Sequence, residues 1–428
     1  MKKVILRIIM FGFIVLSVVF WARKLASGLP ASSYIYDASR VMALVGFVII
    51  LFQYVLSSRI NLIERDIGLD KLFLEHRRHG VIGLALIFLH PVLLYTSAFM
   101  QGHNPFIFPL LKVVGIVAFC VLMVTALAAM LYGRIRMKYG TWKNIHRASY
   151  IILPLGFIHS FFMGSDIAGS QTLKIFWIVM ACIYIIVVAY RVWNWANVRR
   201  HPFKVAEVSQ ESHDTWSLHF AGEHPAYKPG QFMIIKLVRD GKSAEPHPFT
   251  ISSSPTRDRL SISVKSVGDF TSTIRNAKAD DTAYIEMPYG ALNFLNHDDK
   301  DLVFIAGGIG ITPFMSMLRY IYDSKLDKNV TLIWGNKAEE DILFREEMDR
   351  MTAEMPSLNV VHVISKQENW PGEKGYVDSE MLKRHISNFQ SGQFFLCGPP
   401  RMMFLVEKML RDLNVAKKRI HYERFALR

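Results

Sequence analysis

The chain has 428 residues, 51% of them hydrophobic, with a mean hydropathy of +0.22 and a formal charge of +14. So much apolar residue is high for a soluble protein and points to a chain part membrane, part soluble. The charge excess sits beside apolar stretches rather than on a basic motif, so no nucleic-acid partner is expected. Cys120, Cys182 and Cys397 have neither metal-ligand spacing nor an even disulfide framework.

Six apolar runs of about spanning length follow one another, at residues 4–22, 36–56, 79–100, 109–132, 145–163 and 173–195. They predict a six-helix transmembrane bundle over residues 1–196. The first run, behind Lys2 and Lys3, is read as a span rather than a cleaved leader. Basic residues gather at alternate ends of the runs, for example Arg77 and Arg78, then Arg134 and Arg136, then Arg199 and Arg200. By the positive-inside rule, a plasma (inner) membrane location would leave both termini and everything after residue 196 in the cytoplasm.

Two segments each bring two histidines: His76 just before the third run with His90 inside it, and His146 with His159 in the fifth. Ionisable residues in a span are costly and mark function by default. Separations of 14 and 13 positions set the rings of each span roughly 20 Å apart along a helix. The two spans run in the same direction, so His76 lies level with His146 and His90 with His159. Two stacked haems, each held by one histidine from each span, are the expected occupants. Fourteen positions return to within about 40° of one helix face, whereas thirteen miss by about 140°. Pro154 lies between His146 and His159 and is expected to distort the second helix. His79 is an alternative to His76, and helix-to-helix polar contacts are the bland reading of all four. Arg40, at the outer end of the second run, is read either as a positive charge beside the outer haem or as a snorkelling side chain.

After a short charged linker at 197–202, alternating strands such as FMIIKLV and RLSISVKSV predict a small antiparallel β-barrel over 197–298. Residues 299–428 read as an α/β parallel-sheet nucleotide-binding domain, with DLVFIAG leading through Gly307, Gly308 and Gly310 into a helix at Thr312 and Pro313. Glycines there let a backbone approach a pyrophosphate at a helix N-terminus.

These motifs, in order, are Pro229-Gly230-Gln231-Phe232, His247-Pro248-Phe249-Thr250, Lys265 with Gly268-Asp269-Phe270-Thr271, Gly307 to Pro313, Cys397-Gly398-Pro399-Pro400 and Glu423-Arg424-Phe425. The run from 229 to 425 resembles the ferredoxin-NADP reductase superfamily, in the branch fused to a ferric-reductase transmembrane domain that includes the superoxide-producing NADPH oxidases. The histidine spacings match the membrane half of that family. The resemblance implies FAD, two haem b groups, and NADPH or NADH. It sets Phe249 and Thr250 near the flavin ring, with Pro248 in the same segment, and His247 and Lys265 towards the FAD pyrophosphate. Gly268 and Thr271 would meet a phosphate. Gly307, Gly308, Gly310, Thr312 and Pro313 would take the dinucleotide phosphates. Cys397, Gly398 and Pro399 would border the nicotinamide, and Phe425 would stack on the flavin.

The chain departs from the family at three places. Asn336-Lys337 stands where an arginine often meets the NADP 2′-phosphate, Ala426-Leu427-Arg428 follows the terminal aromatic, and Leu94 stands where some oxidases carry another histidine. The implied activity moves electrons from cytosolic NAD(P)H through FAD and two haems to oxygen, giving superoxide, or to a ferric chelate at the outer face. No protein partner is required. Two alternatives are supply of electrons to a dedicated periplasmic protein docking on outer loops such as GHNPFIF, and a membrane-tethered flavin reductase without haem.

Overall fold

The computed structural model describes residues 2–22 and 28–423, with side chains at all of these except 2–4 and 66. It divides into two compact units, Met1–Ile63 with Lys71–Asn194, and Glu64–Asp70 with Trp195–Arg428.

The first unit is helical, and the segment beginning at Glu64 that interrupts it belongs to the second unit. In chain order the helices are α1 (Lys2–Ala22), α2 (Ala31–Ser57), the short α3 (Asn61–Ile67), α4 (Leu69–Met100), α5 (Leu110–Leu131), α6 (Tyr139–Arg147), α7 (Ile152–Met163), the one-turn α8 (Ser165–Ala168) and α9 (Gln171–Arg200). Among the described residues five helices, α1, α2, α4, α5 and α9, are long and apolar enough to cross a membrane. The expected run at 145–163 is not one continuous α-helix, because a 3₁₀ turn at Ala148–Ile151 separates α6 from α7. Pro154 accounts for the break: its nitrogen has no proton to give the carbonyl of residue 150, and its ring crowds that carbonyl. The stretch after 196 also differs from the expected linker, since α9 stays helical to Arg200.

Burial singles out α2. Its apolar window is 67% buried, against 28% or less for the other four long helices. Leu44, Val48, Leu51 and Phe52 of α2 pack with Leu153 of α7 and with Trp177 and Met180 of α9. The outer surface keeps Phe11, Val124, Met130, Ile185 and Ile186 exposed, an apolar surface suited to lipid.

The second unit begins with an antiparallel sheet of β1 (Phe203–Ser212), β2 (Thr215–Ala221), β3 (Phe232–Arg239), β4 (Lys242–Ser243), β5 (His247–Thr250), β6 (Leu260–Lys265) and β7 (Thr282–Tyr289). Its order is β4-β3-β7-β1-β2-β6, with β5 paired to β3 and a bridge from Ile251 to Ile262. Buried residues alternate along the whole of β7, the period of a sheet with one face on a core.

The chain continues through β8 (Asp301–Gly307), α10 (Thr312–Asp323), β9 (Asn329–Asn336), α11 (Arg345–Glu354), β10 (Leu358–Ile364), β11 (Glu373–Lys374), α12 (Ser379–His385), β12 (Gln393–Cys397), α13 (Pro400–Asp412) and β13 (Ile420–Tyr422). These strands form a parallel sheet of order β11-β10-β9-β8-β12-β13. Alternate residues face opposite layers: Phe304, Trp334 and Phe395 pack with Phe314 of α10, while Ile305, Ile333 and Leu396 pack with Leu382 of α12 and Val406 of α13. Such double coverage is why the central strands read as continuous apolar runs.

Polar contacts join the two sheets of this unit. Arg319 of α10 is buried, and its Nε donates to Glu347 of α11 at 2.9 Å while Nη1 donates to the Ser252 carbonyl at 2.6 Å. Ser316 donates to the Ser253 carbonyl at 2.6 Å. Burial alone would raise the Glu347 pKa, but hydrogen bonds and charge from Arg319, and then from Arg257, outweigh it and hold the carboxyl below its usual range. A carboxylate held low stabilises the fold above its unfolded-state range and loses that contribution as pH falls through its folded value. Glu347→Gln should therefore cost about 3 kcal/mol at neutral pH by leaving the Arg319 charge poorly compensated. Chemical unfolding of the purified protein should show that loss at pH 7 and a shrinking difference from the native chain in acid.

Candidate functional site

A histidine inside an apolar bundle has to place its ring proton, and the structure provides an acceptor for it. His76 Nδ1 lies 3.2 Å from the Gln53 carbonyl and His90 Nδ1 3.1 Å from the Ser39 carbonyl, both on α2. His159 Nδ1 lies 2.8 Å from the Leu111 carbonyl of α5. That ring fits because residue 115 is glycine, where a Cβ would stand 2.5 Å from Nδ1. His146 Nδ1 is buried and faces the Thr125 carbonyl outside ordinary hydrogen-bond geometry. A carbonyl only accepts, so in each bonded ring Nδ1 carries the proton, and in the neutral ring Nε2 keeps a lone pair. This is the tautomer of a metal-ligating histidine.

The rings of His76 and His146 have centroids 6.2 Å apart and planes at 79°. An imidazole nitrogen binds a transition metal at about 2 Å and the ring centre lies about 1 Å beyond, so two rings on opposite sides of one ion stand about 6 Å apart. Donor type, tautomer and spacing fit a bis-histidine haem iron. His90 and His159 lie within electrostatic reach of one another. His79, the alternative to His76, turns its Nε2 to Glu75 at 3.7 Å. Trp142 stacks on His146 with centroids 5.5 Å apart at 14°, a contact that the i, i+4 spacing made legible. Arg40 does not carry a free positive charge. Its Nε meets Asp166 at 2.7 Å and its Nη1 meets Asp37 at 2.8 Å, with a further bond from Nη2 to Asp166.

In the second unit, His247 to Thr250 form β5 against β3 in the register Phe232 to Thr250 through Ile235 to His247. The side chains of His247, Phe249 and Thr250 are half-buried while Pro248 is exposed. The His247 ring stacks on Phe270 at 4.1 Å and 13°, with Phe249 6.1 Å from Phe270. Half-buried aromatic rings on an edge strand suit a flat heterocycle. Thr271 Oγ1 accepts the Val267 and Gly268 N–H groups at 2.9 and 2.8 Å and so closes the Gly268 loop. Lys265, expected towards a pyrophosphate, lies between Asp214 at 3.1 Å and Asp341 at 3.2 Å. Burial would lower its pKa, but the two carboxylates outweigh that and hold the ammonium above its ordinary value.

Gly307 to Gly310 leave the carboxyl end of β8, and Cys397 to Pro399 leave that of β12, its neighbour on the other side from β9. Strand order reverses between these two, and ligands of open parallel sheets sit in the crevice at such a point. A Cβ on Gly310 would stand 2.3 Å from the Cys397 carbonyl, so this glycine lets the two turns touch. Gly308 has φ +52° and open space beside it, which leaves its backbone approachable. Thr312 donates to the Ile309 carbonyl at 3.1 Å, and Pro313 occupies the first turn of α10. Cys397 is buried, and its thiol is pushed up to about 12 by burial and then by the charge of Glu423. It is a neutral thiol at physiological pH. Phe425 lies outside the described residues.

Sequence reasoning missed Glu64. Fully buried in the segment Glu64–Asp70 that belongs to this unit, it accepts the Gly290 N–H at 2.7 Å, beside Ala291, whose N–H goes to Glu423. Its carboxylate finds its donor 226 positions away, and no local pattern marks that.

Residues 42–157 match the ferric reductase like transmembrane component, residues 200–310 an FAD-binding domain and residues 304–408 an oxidoreductase NAD-binding domain. The glycine betaine monooxygenase reductase subunit of Pseudomonas aeruginosa (strain UCBPP-PA14) is 30% identical over 243 residues, covering 54% of this chain and 66% of that protein. The flavohemoprotein of Bacillus subtilis (strain 168) is 28% identical over 236 residues, covering 52% of this chain and 59% of that one. The chain thus spans less than two thirds of each relative's length. The flavohemoglobin structure from Malassezia yamatoensis aligns at a TM-score of 0.51 and 19% identity, over 94% of this chain and 100% of that one, a likeness of fold alone.

Gly308 and Gly310 should respond differently to alanine. Gly310→Ala drives a Cβ into backbone that cannot yield and should cost about 3 kcal/mol, whereas Gly308→Ala pays only for its left-handed backbone, about 1 kcal/mol. Denaturant unfolding of the two variants measures the order, and equal losses would contradict the packing described.

Proposed function

We propose that this chain, whose residues 42–157 match the ferric reductase like transmembrane component and whose later residues match FAD- and NAD-binding domains, is a multi-pass membrane oxidoreductase of that type that carries electrons from cytosolic NAD(P)H across the plasma membrane to an acceptor at the outer face. In this reading residues 1–196 form six spans, with α6 and α7 together as the fifth, and hold two b-type haems. Residues 197–298 form a barrel that holds FAD, and residues 299–428 take NAD(P)H. When bound, FAD and the haems supply the conversion of a two-electron donor into single electrons.

The observation that carries the reading is the pairing of His76 with His146 at iron-ligating distance, with His76 Nδ1 fixed on the Gln53 carbonyl. His76 and His146 hold the inner haem, His90 and His159 the outer one. Backbone carbonyls orient the rings of His76, His90 and His159 and leave Nε2 for metal. In the soluble module, His247, Phe249 and Thr250 line the flavin, with Pro248 beside them, and Gly268 and Thr271 shape the loop at its phosphates. Gly307, Gly308 and Gly310 lead the dinucleotide phosphates to the start of α10 at Thr312 and Pro313. Cys397, Gly398 and Pro399 border the nicotinamide, where a buried neutral thiol excludes water. Lys265, steadied by Asp214 and Asp341, stands towards the FAD pyrophosphate in this reading.

With two histidines to hold each haem, no position would stay open on the iron, so a bound haem would supply electrons to the acceptor without binding it directly. With its guanidinium committed to Asp166 and Asp37, Arg40 offers no free charge to draw an anionic chelate. This supports oxygen, giving superoxide, over ferric citrate.

Reduced-minus-oxidised spectra of the purified protein should show two b-type haems per FAD, and their absence would leave only a tethered flavin reductase. His76→Leu and His90→Leu should each remove one haem while His79→Leu keeps both; loss of haem in the His79 variant alone would reverse the assignment. Turnover with NADH or NADPH should give dye reduction sensitive to superoxide dismutase and faster than ferric citrate reduction. The opposite preference would make ferric chelate the acceptor.

A further inference from the structure

The two histidine-bearing helical segments are built on different spacings. Positions 76 and 90 on α4 are fourteen α-helical steps apart, about 1400° of rotation and 21 Å of rise. Positions 146 and 159 are thirteen apart, which in a regular α-helix gives about 1300° and 19.5 Å. The segment between them is not regular, since Ala148–Ile151 is a 3₁₀ turn. Nine α steps and four 3₁₀ steps give about 1380° and 21.5 Å. The turn brings the thirteen-residue spacing to within about 20° and 0.5 Å of the fourteen-residue one.

A 3₁₀ turn inside an apolar bundle needs its carbonyls satisfied. Ser149 O accepts the Ile152 N–H within the turn and the hydroxyl of Tyr54 from α2. Tyr150 O would normally accept from position 154, which is proline, and instead accepts the hydroxyl of Tyr184 from α9. The Tyr54 and Tyr184 rings pack edge to face at 5.2 Å and 88°, and both are buried. The neighbouring Gln53 of α2 gives the carbonyl that orients His76. Adjacent residues of one helix thus hold the His76 ring and the turn that follows His146.

We propose that Tyr54, Tyr184 and Pro154 are positioning residues that lock this 3₁₀ turn, and that the turn sets His146 and His159 in register with His76 and His90. The proposal rests on the two-haem reading above. Without the proline and the two hydroxyls the segment reverts to regular α-helix, and its two histidines no longer serve one stack.

The triple variant Tyr54→Phe, Tyr184→Phe, Pro154→Ala, purified as the full chain, should fall from two haems per FAD to one, with FAD content unchanged as the measure of an intact soluble module. One alanine inserted after Ile151 in the triple variant restores fourteen regular steps and should return the second haem. The same insertion in the otherwise native chain over-rotates the segment by about 100° and should itself remove a haem. A triple variant that keeps both haems, or an insertion that fails to restore the second, overturns the proposal. A native chain with no haem at all overturns the two-haem reading, and this proposal with it.

Discussion

The structure depends on where a neutral imidazole puts its proton when no water is at hand. Unpaired polar groups are costly in an apolar bundle, and the backbone of a neighbouring helix has carbonyl lone pairs to spare. Gln53, Ser39 and Leu111 supply them. The bond that removes this cost also fixes the tautomer of the neutral ring. From this follow the central place of α2, which supplies two of the three carbonyls, and the glycine at 115, which lets α5 supply the third.

Paired polar groups also recur in the second unit. Arg319 is held by Glu347 and Ser252, Lys265 by Asp214 and Asp341, and the amides of residues 290 and 291 by Glu64 and Glu423. The backbone at Gly308 and the half-buried face of β5 stay approachable. Both are backbone or aromatic surfaces rather than charges, suited to positioning a large planar cofactor.

Much of this was legible in the sequence because it is local. Strand alternation, the glycine turn after DLVFIAG and the spacing of His76 and His90 each lie within one element, and Pro154 announced the distortion of its own segment. The remainder depends on partners distant in sequence. Arg40 is neutralised by Asp166, 126 positions on, and Lys265 meets Asp341, 76 positions on, so neither charge could be assigned from its neighbours. The segment holding Glu64 sits between two membrane helices in sequence yet clusters with the soluble unit, which composition has no means to express. Helical phase was the subtlest loss, because four residues of 3₁₀ geometry look like any other apolar helix until their carbonyls are traced.

The central claim is that the membrane histidines are held ready as paired axial ligands. Low-temperature electron paramagnetic resonance of the oxidised, purified chain tests it directly, because two imidazoles on one ferric iron enforce a low-spin state. The account predicts low-spin signals only, one of them strongly anisotropic because the His76 and His146 planes stand at 79°. A dominant high-spin ferric signal, or none from haem, would contradict it.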